Sequence, residues 1–230
     1  ESFESYDDST FKVAIKFFPA FLSNIFSKQN NLNIVRFIRL GLSFWREAWT
    51  VLTFGTPKLF LLAEFTGDNE NEIEKRILSC KNELDKNNKN INTIYIKTEF
   101  ETEKYWTMRR ESFNLLRQKV RGLHTAPFID DIIVKGEDLG DFLNELIPIL
   151  NKYKLFYTIA GHVGDGNLHI IPLMNFDDEN KKAENIETIK SCGKEVYSLI
   201  KKYKGSITGE HNDGLVRTPY LLEMYDKEMI

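Results

Sequence analysis

A chain of 230 residues, 42% hydrophobic and 13% aromatic, is long enough for one large domain with a sizeable core. Its 31 basic and 34 acidic residues give a formal net charge of -3, which offers no phosphate-binding surface, so no nucleic acid is expected as a partner. The two cysteines, Cys80 and Cys192, form neither a C-x-x-C motif nor a disulfide framework, which makes a reducing, cytoplasmic compartment the default.

In chain order, the opening ESFESYDDST carries no basic n-region of a signal peptide, and both ends read as cut, so the expectation is a piece of a longer protein. Residues 11–27 are rich in Phe and read as a helix broken by Pro19. In residues 32–54, Ile34, Phe37, Ile38, Leu42, Trp45, Trp49 and Leu52 recur at helical spacing, with Arg36, Arg39 and Arg46 on the other side. The arginines exclude a simple transmembrane span. Two readings stand: a helix packed on its own core or a partner domain, or an interfacial helix in peripheral contact with the inner face of a membrane.

After Pro57 the rhythm changes. Strands are expected at 59–67, 91–98, 126–134, 155–162 and 167–175. Helices are expected at 70–86, 101–120, 136–153, with Asp138 as N-cap, and 176–203. This order predicts an α+β fold, a ferredoxin-like antiparallel sheet with helices on one face. The division that follows is a helical segment over residues 1–56 and a second domain over 57–230.

The chemistry concentrates in two glycine-rich segments. In GHVGDGNLH (161–169), His162 and His169 would point to opposite faces of one straight strand, because their offset is odd. The glycines, Asp165 and Asn167 supply turn chemistry, and a hairpin would bring the two imidazoles to one face with Cβ atoms about 5 Å apart. Two such imidazoles can share a divalent metal, or they can be turn-flanking residues with ordinary hydrogen bonds. GSITGEHNDGLVR (205–217) adds Glu210 as a third ligand candidate and His211 as a base working near neutral pH. A His-His-Glu set leaves open positions, as a catalytic metal needs. Arg109 and Arg110 are candidates for holding a carboxylate. Asp130 and Asp131 could add metal oxygens, although aspartates at strand ends are usually structural.

GHVGDGNLH followed by GSITGEHNDGLVR, with KYWTMRRESF upstream, resembles the C-terminal cap or substrate domain of the FAD-linked oxidases. That group includes D-lactate dehydrogenase, the glycolate oxidase flavin subunit and D-2-hydroxyglutarate dehydrogenase. The resemblance runs from about Pro57 to the end. It implies that FAD sits in a separate N-terminal domain, that His162, His169 and Glu210 bind a divalent metal (zinc, manganese or iron), that His211 is the catalytic base and that Arg109 binds the substrate carboxylate. It further implies oxidation of a D-2-hydroxy acid to the 2-oxo acid, and an electron acceptor that is a quinone, an electron-transfer flavoprotein or an iron–sulfur partner.

Departures from the family pattern are also legible. Asn212 replaces a usual Gly, and Asn tolerates left-handed backbone. Phe113, Phe128 and Ile171 stand where relatives acting on 2-hydroxyglutarate carry polar residues, which points to a smaller or more apolar acid such as lactate or glycolate. No flavin-binding pattern is present, so the isolated chain is expected to be colourless and inactive while still able to bind metal. Two other classes remain open: a stand-alone metal-dependent hydrolase, and a non-catalytic ferredoxin-like interaction domain.

Overall fold

The computed structural model describes residues 2–16, 45, 49, 52, 55–88, 91–98, 101–102, 105–106, 109 and 122–229. Within the segment expected to be helical, the first element is a strand, β1 (Ser2–Asp7). It pairs antiparallel with β2 (Leu59–Glu64) from Ser2↔Glu64 to Asp7↔Leu59, and on its other side with β5 (Phe156–Gly161). A strand paired on both sides is central, and residues Glu4 to Asp7 are buried. Asp7 then ends the strand and caps α1 (Asp8–Lys16), its Oδ1 accepting the Thr10 N–H at 2.8 Å. Most of the predicted helix over 32–54 lies outside the described residues. Trp45, Trp49 and Leu52 are helical and exposed.

Helix α2 (Glu70–Asn87) forms where the 70–86 pattern predicts it, capped by Asn69, whose Oδ1 accepts the Asn71 N–H at 3.0 Å. The expected strand over 91–98 joins no ladder. That stretch lies against α2 through side chains instead: Lys81 donates to Thr93 Oγ1 at 2.9 Å and Lys97 to Glu74 at 3.1 Å. The predicted helix over 101–120 lies largely outside the described residues, although Arg109 within it is helical.

The strand expected over 126–134 contracts to two short pairings, β3 (His124–Thr125) and β4 (Ile132–Ile133), both on β6 (Asn167–Met174). Pro127 lacks an N–H for a ladder, and Asp131 adopts a left-handed φ of 61°, so extended pairing cannot continue between them. The 136–153 prediction resolves into a 3₁₀ turn, Gly136–Asp138, and α3 (Leu139–Lys152). Asp138 occupies the N-cap position of α3 but its side chain makes no capping bond. Hairpin strands β5 and β6 appear as predicted, and α4 (Lys182–Lys202) fills most of 176–203.

The result is an α+β fold on a six-stranded antiparallel sheet in the order β2-β1-β5-β6-β3, with β4 also on β6. Strand residues alternate between faces. Leu168 and Ile170 of β6 pack with Phe142, Leu146 and Leu150 of α3 and with Cys192, Val196 and Ile200 of α4 in one apolar core. His169 and Ile171 therefore project from the opposite face. On that face Tyr6 stacks on Phe60 at 4.8 Å between ring centroids, and Phe11 of α1 packs on Phe60 at 4.7 Å. The core fixes the backbone under the site without taking part in it.

Candidate functional site

The β5–β6 turn places the two histidines. Val163–Asp165 forms one 3₁₀ turn, after which Gly166 adopts a φ of 72° and Asn167 N–H returns to the His162 carbonyl at 3.1 Å. The turn is held from outside by the Val134 N–H, which donates to the Gly166 carbonyl at 3.1 Å. A Cβ on Gly166 would sit 1.8 Å from the Val134 carbonyl oxygen, so both the left-handed backbone and the close approach require glycine. Ala160 pairs with His169, so His162 lies one diagonal away on the same face. The two imidazoles meet edge to face with centroids 5.7 Å apart.

The second glycine-rich segment reaches the same place by a different route. Ser206 pairs with Ile133 through two backbone hydrogen bonds, laying the segment against β4. Asp131 then gathers the loop. Its carboxylate accepts the N–H groups of Gly209, Glu210 and His211 at 2.8 to 3.2 Å, the Thr208 hydroxyl at 3.1 Å and the Asn167 amide at 3.0 Å. Arg217 forms a buried ion pair with it at 3.5 Å and also donates to the Asp130 carbonyl at 2.5 Å and to the Asn212 carbonyl. Burial pushes the Asp131 carboxyl upward. The amides of His211 and Glu210, the Asn167 side chain and the Gly209 amide outweigh it and hold the group below its ordinary value. Asn212 takes a φ of 64°, the left-handed backbone that Asn accommodates.

These two loops bring His162, His169, Glu210 and His211 together. Glu210 lies between the imidazoles, with Oε1 3.4 Å from His162 Nε2 and Oε2 3.9 Å from His169 Nε2. His211 Nε2 is 3.8 Å from the same Oε2, and its ring centroid is 5.5 Å from that of His169. Ligands held at about 2.1 Å around a tetrahedral ion stand about 3.4 Å apart, so Glu210 stands near ligand spacing from each imidazole, through Oε1 for His162 and through Oε2 for His169 and His211. The far side of each ring strengthens the match. His162 Nδ1 is 2.5 Å from Glu4 Oε1, and His169 Nδ1 is 3.1 Å from Asp130 Oδ1. A carboxylate only accepts, so each Nδ1 is a donor, and a neutral ring then has its Nε2 lone pair on the Glu210 side. A carboxylate behind the imidazole is the arrangement by which proteins orient histidine ligands.

Among the described residues, the group whose donor atoms all lie within 4.8 Å of one another is Asp131, His169, Glu210 and His211; His162 is tied to it through Glu210. Asp131 is fully buried, and its oxygens are engaged by the loop it gathers. Arg109 joins the site through Glu4, its Nη2 donating to Oε2 at 3.2 Å. His124 is remote from the cluster in its contacts, pairing with Asp177 at 2.8 Å on an exposed surface. Sequence reading missed Glu4 and Arg217. No local pattern marks Glu4 or Arg217, since each acts on residues distant in the chain. The paired Asp130-Asp131 ahead of an apolar run was the one visible trace of the loop anchor.

The sequence profile of the FAD linked oxidases, C-terminal domain, matches residues 45–230. The chain belongs to this family. Among curated relatives, it is similar to a D-2-hydroxyglutarate dehydrogenase of Haemophilus influenzae, 28% identical over 173 residues, covering 73% of this chain and 16% of that protein. It is also similar to the glycolate oxidase subunit GlcD of Bacillus subtilis, 31% identical over 108 residues, covering 46% of the chain and 22% of the relative. A third relative is a putative mitochondrial D-lactate dehydrogenase of Schizosaccharomyces pombe, 25% identical over 182 residues, covering 74% and 32%. The matches thus span 16% to 32% of these relatives' own lengths. Both glycine-rich segments fall inside the family match, and Glu4 falls outside it.

Proposed function

We propose that this family domain forms the metal- and substrate-binding side of an FAD-dependent enzyme that oxidises a small D-2-hydroxy acid, of the lactate or glycolate type, to the 2-oxo acid. The observation that supports this reading is Glu210 set between two imidazoles, Oε1 towards His162 Nε2 and Oε2 towards His169 Nε2, each imidazole backed by a carboxylate, with His211 beside them. The donor set fits a divalent ion such as zinc, manganese or iron, held by His162, His169 and Glu210. When bound, that ion would supply Lewis-acid polarisation at the substrate oxygens, and a flavin carried by another domain would supply the hydride acceptor.

The chain's own residues do the rest. Arg109, fixed by its pair with Glu4, supplies a positive charge for the substrate carboxylate. His211 is exposed enough to meet a substrate and takes the 2-hydroxyl proton at Nε2, the nitrogen 3.8 Å from Glu210 Oε2. Asp131 keeps that base and Glu210 in fixed relation by binding both of their backbone N–H groups. A small substrate is favoured because Ile171, on the same face as His169, is buried and offers no partner for a second carboxylate, while Phe128 lies in the α3–α4 core. Phe113 lies outside the described residues. The electron acceptor would be a quinone, an electron-transfer flavoprotein or an iron–sulfur partner. Peripheral membrane contact through the 32–54 segment is part of the same proposal, and no helix among the described residues is long and apolar enough to cross a membrane.

The test is full-length expression followed by a screen of D-2-hydroxy acids against an artificial dye, with and without a chelator. Dye reduction by D-lactate or glycolate that the chelator abolishes is the expected result. Activity untouched by exhaustive chelation, or hydrolysis of esters or amides in its place, would contradict the proposal.

A further inference from the structure

Glu4 stands at the junction of three elements that are far apart in sequence. The residue is 6% exposed and lies on central strand β1, and its carboxylate splits its two oxygens between His162 Nδ1 at 2.5 Å and Arg109 Nη2 at 3.2 Å. Ser5 and Tyr6 pair with Gly161 and Ala160, so the next step of the same register sets Glu4 opposite His162 on one face of the sheet. The sheet itself therefore fixes this contact. A carboxylate held this way has only acceptors to offer, and the imidazole opposite can meet it only as the Nδ1–H form. In the neutral ring Nε2 then keeps its lone pair, and this nitrogen faces Glu210, 3.4 Å away.

We infer that Glu4, which lies ahead of the family-matched segment, is the positioning residue of the site: it fixes the tautomer of His162 so that Nε2 serves as a metal donor, and it anchors Arg109 with the same carboxylate. The metal half of this inference rests on the function proposed above. The tautomer half does not, because it concerns the chain alone. Arg109 adds to the argument. Its guanidinium can only donate, so it holds one carboxylate oxygen and leaves the other for the imidazole. In Glu4→Gln the single carbonyl oxygen is demanded by Arg109, and the NH₂ group then faces Nδ1. The ring must turn to the Nε2–H form, with the wrong nitrogen protonated for a ligand.

The experiment uses the 230-residue chain with Glu4→Gln and Glu4→Ala, the first keeping size and shape should the second fail to fold. Two-dimensional ¹⁵N–¹H spectra of the imidazoles, recorded well above the ordinary histidine pKa of about 6.5, read the His162 tautomer without metal. Calorimetric titration with Zn²⁺ alone reads the donor set. The expected result is the Nδ1–H form in the unaltered chain, a shift to Nε2–H in Glu4→Gln, and zinc affinity lower by about 10- to 100-fold, the usual effect of removing a carboxylate behind a histidine ligand. An unchanged tautomer in Glu4→Gln would overturn the inference. A shifted tautomer with unchanged zinc affinity would overturn its metal half. Should the unaltered chain take up no zinc, the metal reading falls, and the tautomer still decides the role of Glu4.

Discussion

Asp131 shows how a residue that touches no substrate can decide a site. It is a buried aspartate in left-handed backbone, and its carboxylate collects the amides that set Glu210 and His211 in place. Asp131→Asn keeps the backbone preference and the volume but removes the charge, leaving Arg217 buried without its partner. We predict a loss of about 3 kcal/mol in urea unfolding at neutral pH. The pH dependence has a definite sign. Because the folded-state carboxyl lies below its ordinary value of 3.8, its stabilisation is fully present above that value and is lost as pH falls through the depressed one. The gap in stability between the unaltered chain and Asp131→Asn should therefore close on acidification below about pH 4, as read from urea midpoints at a series of pH values. Among the ligand candidates, His169→Ala and Glu210→Ala should each abolish measurable zinc uptake while leaving the far-ultraviolet circular dichroism unchanged, because both side chains lie on the face away from the α3–α4 core.

At the scale of elements, the site is two loops pinned to one hairpin and one strand. Gly166→Ala tests the pinning: an added Cβ meets the Val134 carbonyl, so the turn must open. A cost of about 3 kcal/mol or more is expected, together with loss of zinc binding, although residue 166 donates nothing to an ion. Retained stability and retained zinc uptake would show that the turn tolerates another backbone path. The hairpin was legible in the sequence, since glycines between two apolar runs force a turn and the turn determines which histidines meet. Glu210 and His211 were legible only as an adjacent pair in a second glycine-rich segment, since the Asp131 carboxylate that brings them in is distant in the chain. Strand β1 was not, because SFESYD carries neither a β-branched run nor a clean alternation. It is a strand because β2 and β5 flank it, a tertiary cause that local propensity cannot register. The reverse error occurred at 91–98, where an apolar alternation suggested a strand but side-chain bonds to α2 hold the stretch instead.

For the molecule as a whole, labour is divided between the two sheet faces. One face carries the α3–α4 core, and the other carries the histidines, Glu4 and the aromatic stack of Tyr6, Phe60 and Phe11. Cys192 reports on the first face. It is fully buried and burial pushes its thiol up to about 12, so it should resist thiol reagents until the core opens. Cys80, half-buried on α2, should react in the native chain. Native labelling that stops at Cys80, and labelling of Cys192 only in urea, would bear this out. The chain belongs to the C-terminal domain family of the FAD linked oxidases, and its antiparallel sheet carries the candidate site on the face away from the core.

The central claim is that His162, His169 and Glu210 form one divalent-ion site, and zinc titration of the purified chain tests it most directly. The account predicts saturable, equimolar uptake that disappears in His162→Ala, His169→Ala and Glu210→Ala and survives in His124→Ala, whose imidazole pairs with Asp177 on the surface. Absence of saturable uptake, or uptake that persists when His169 is removed, would contradict it.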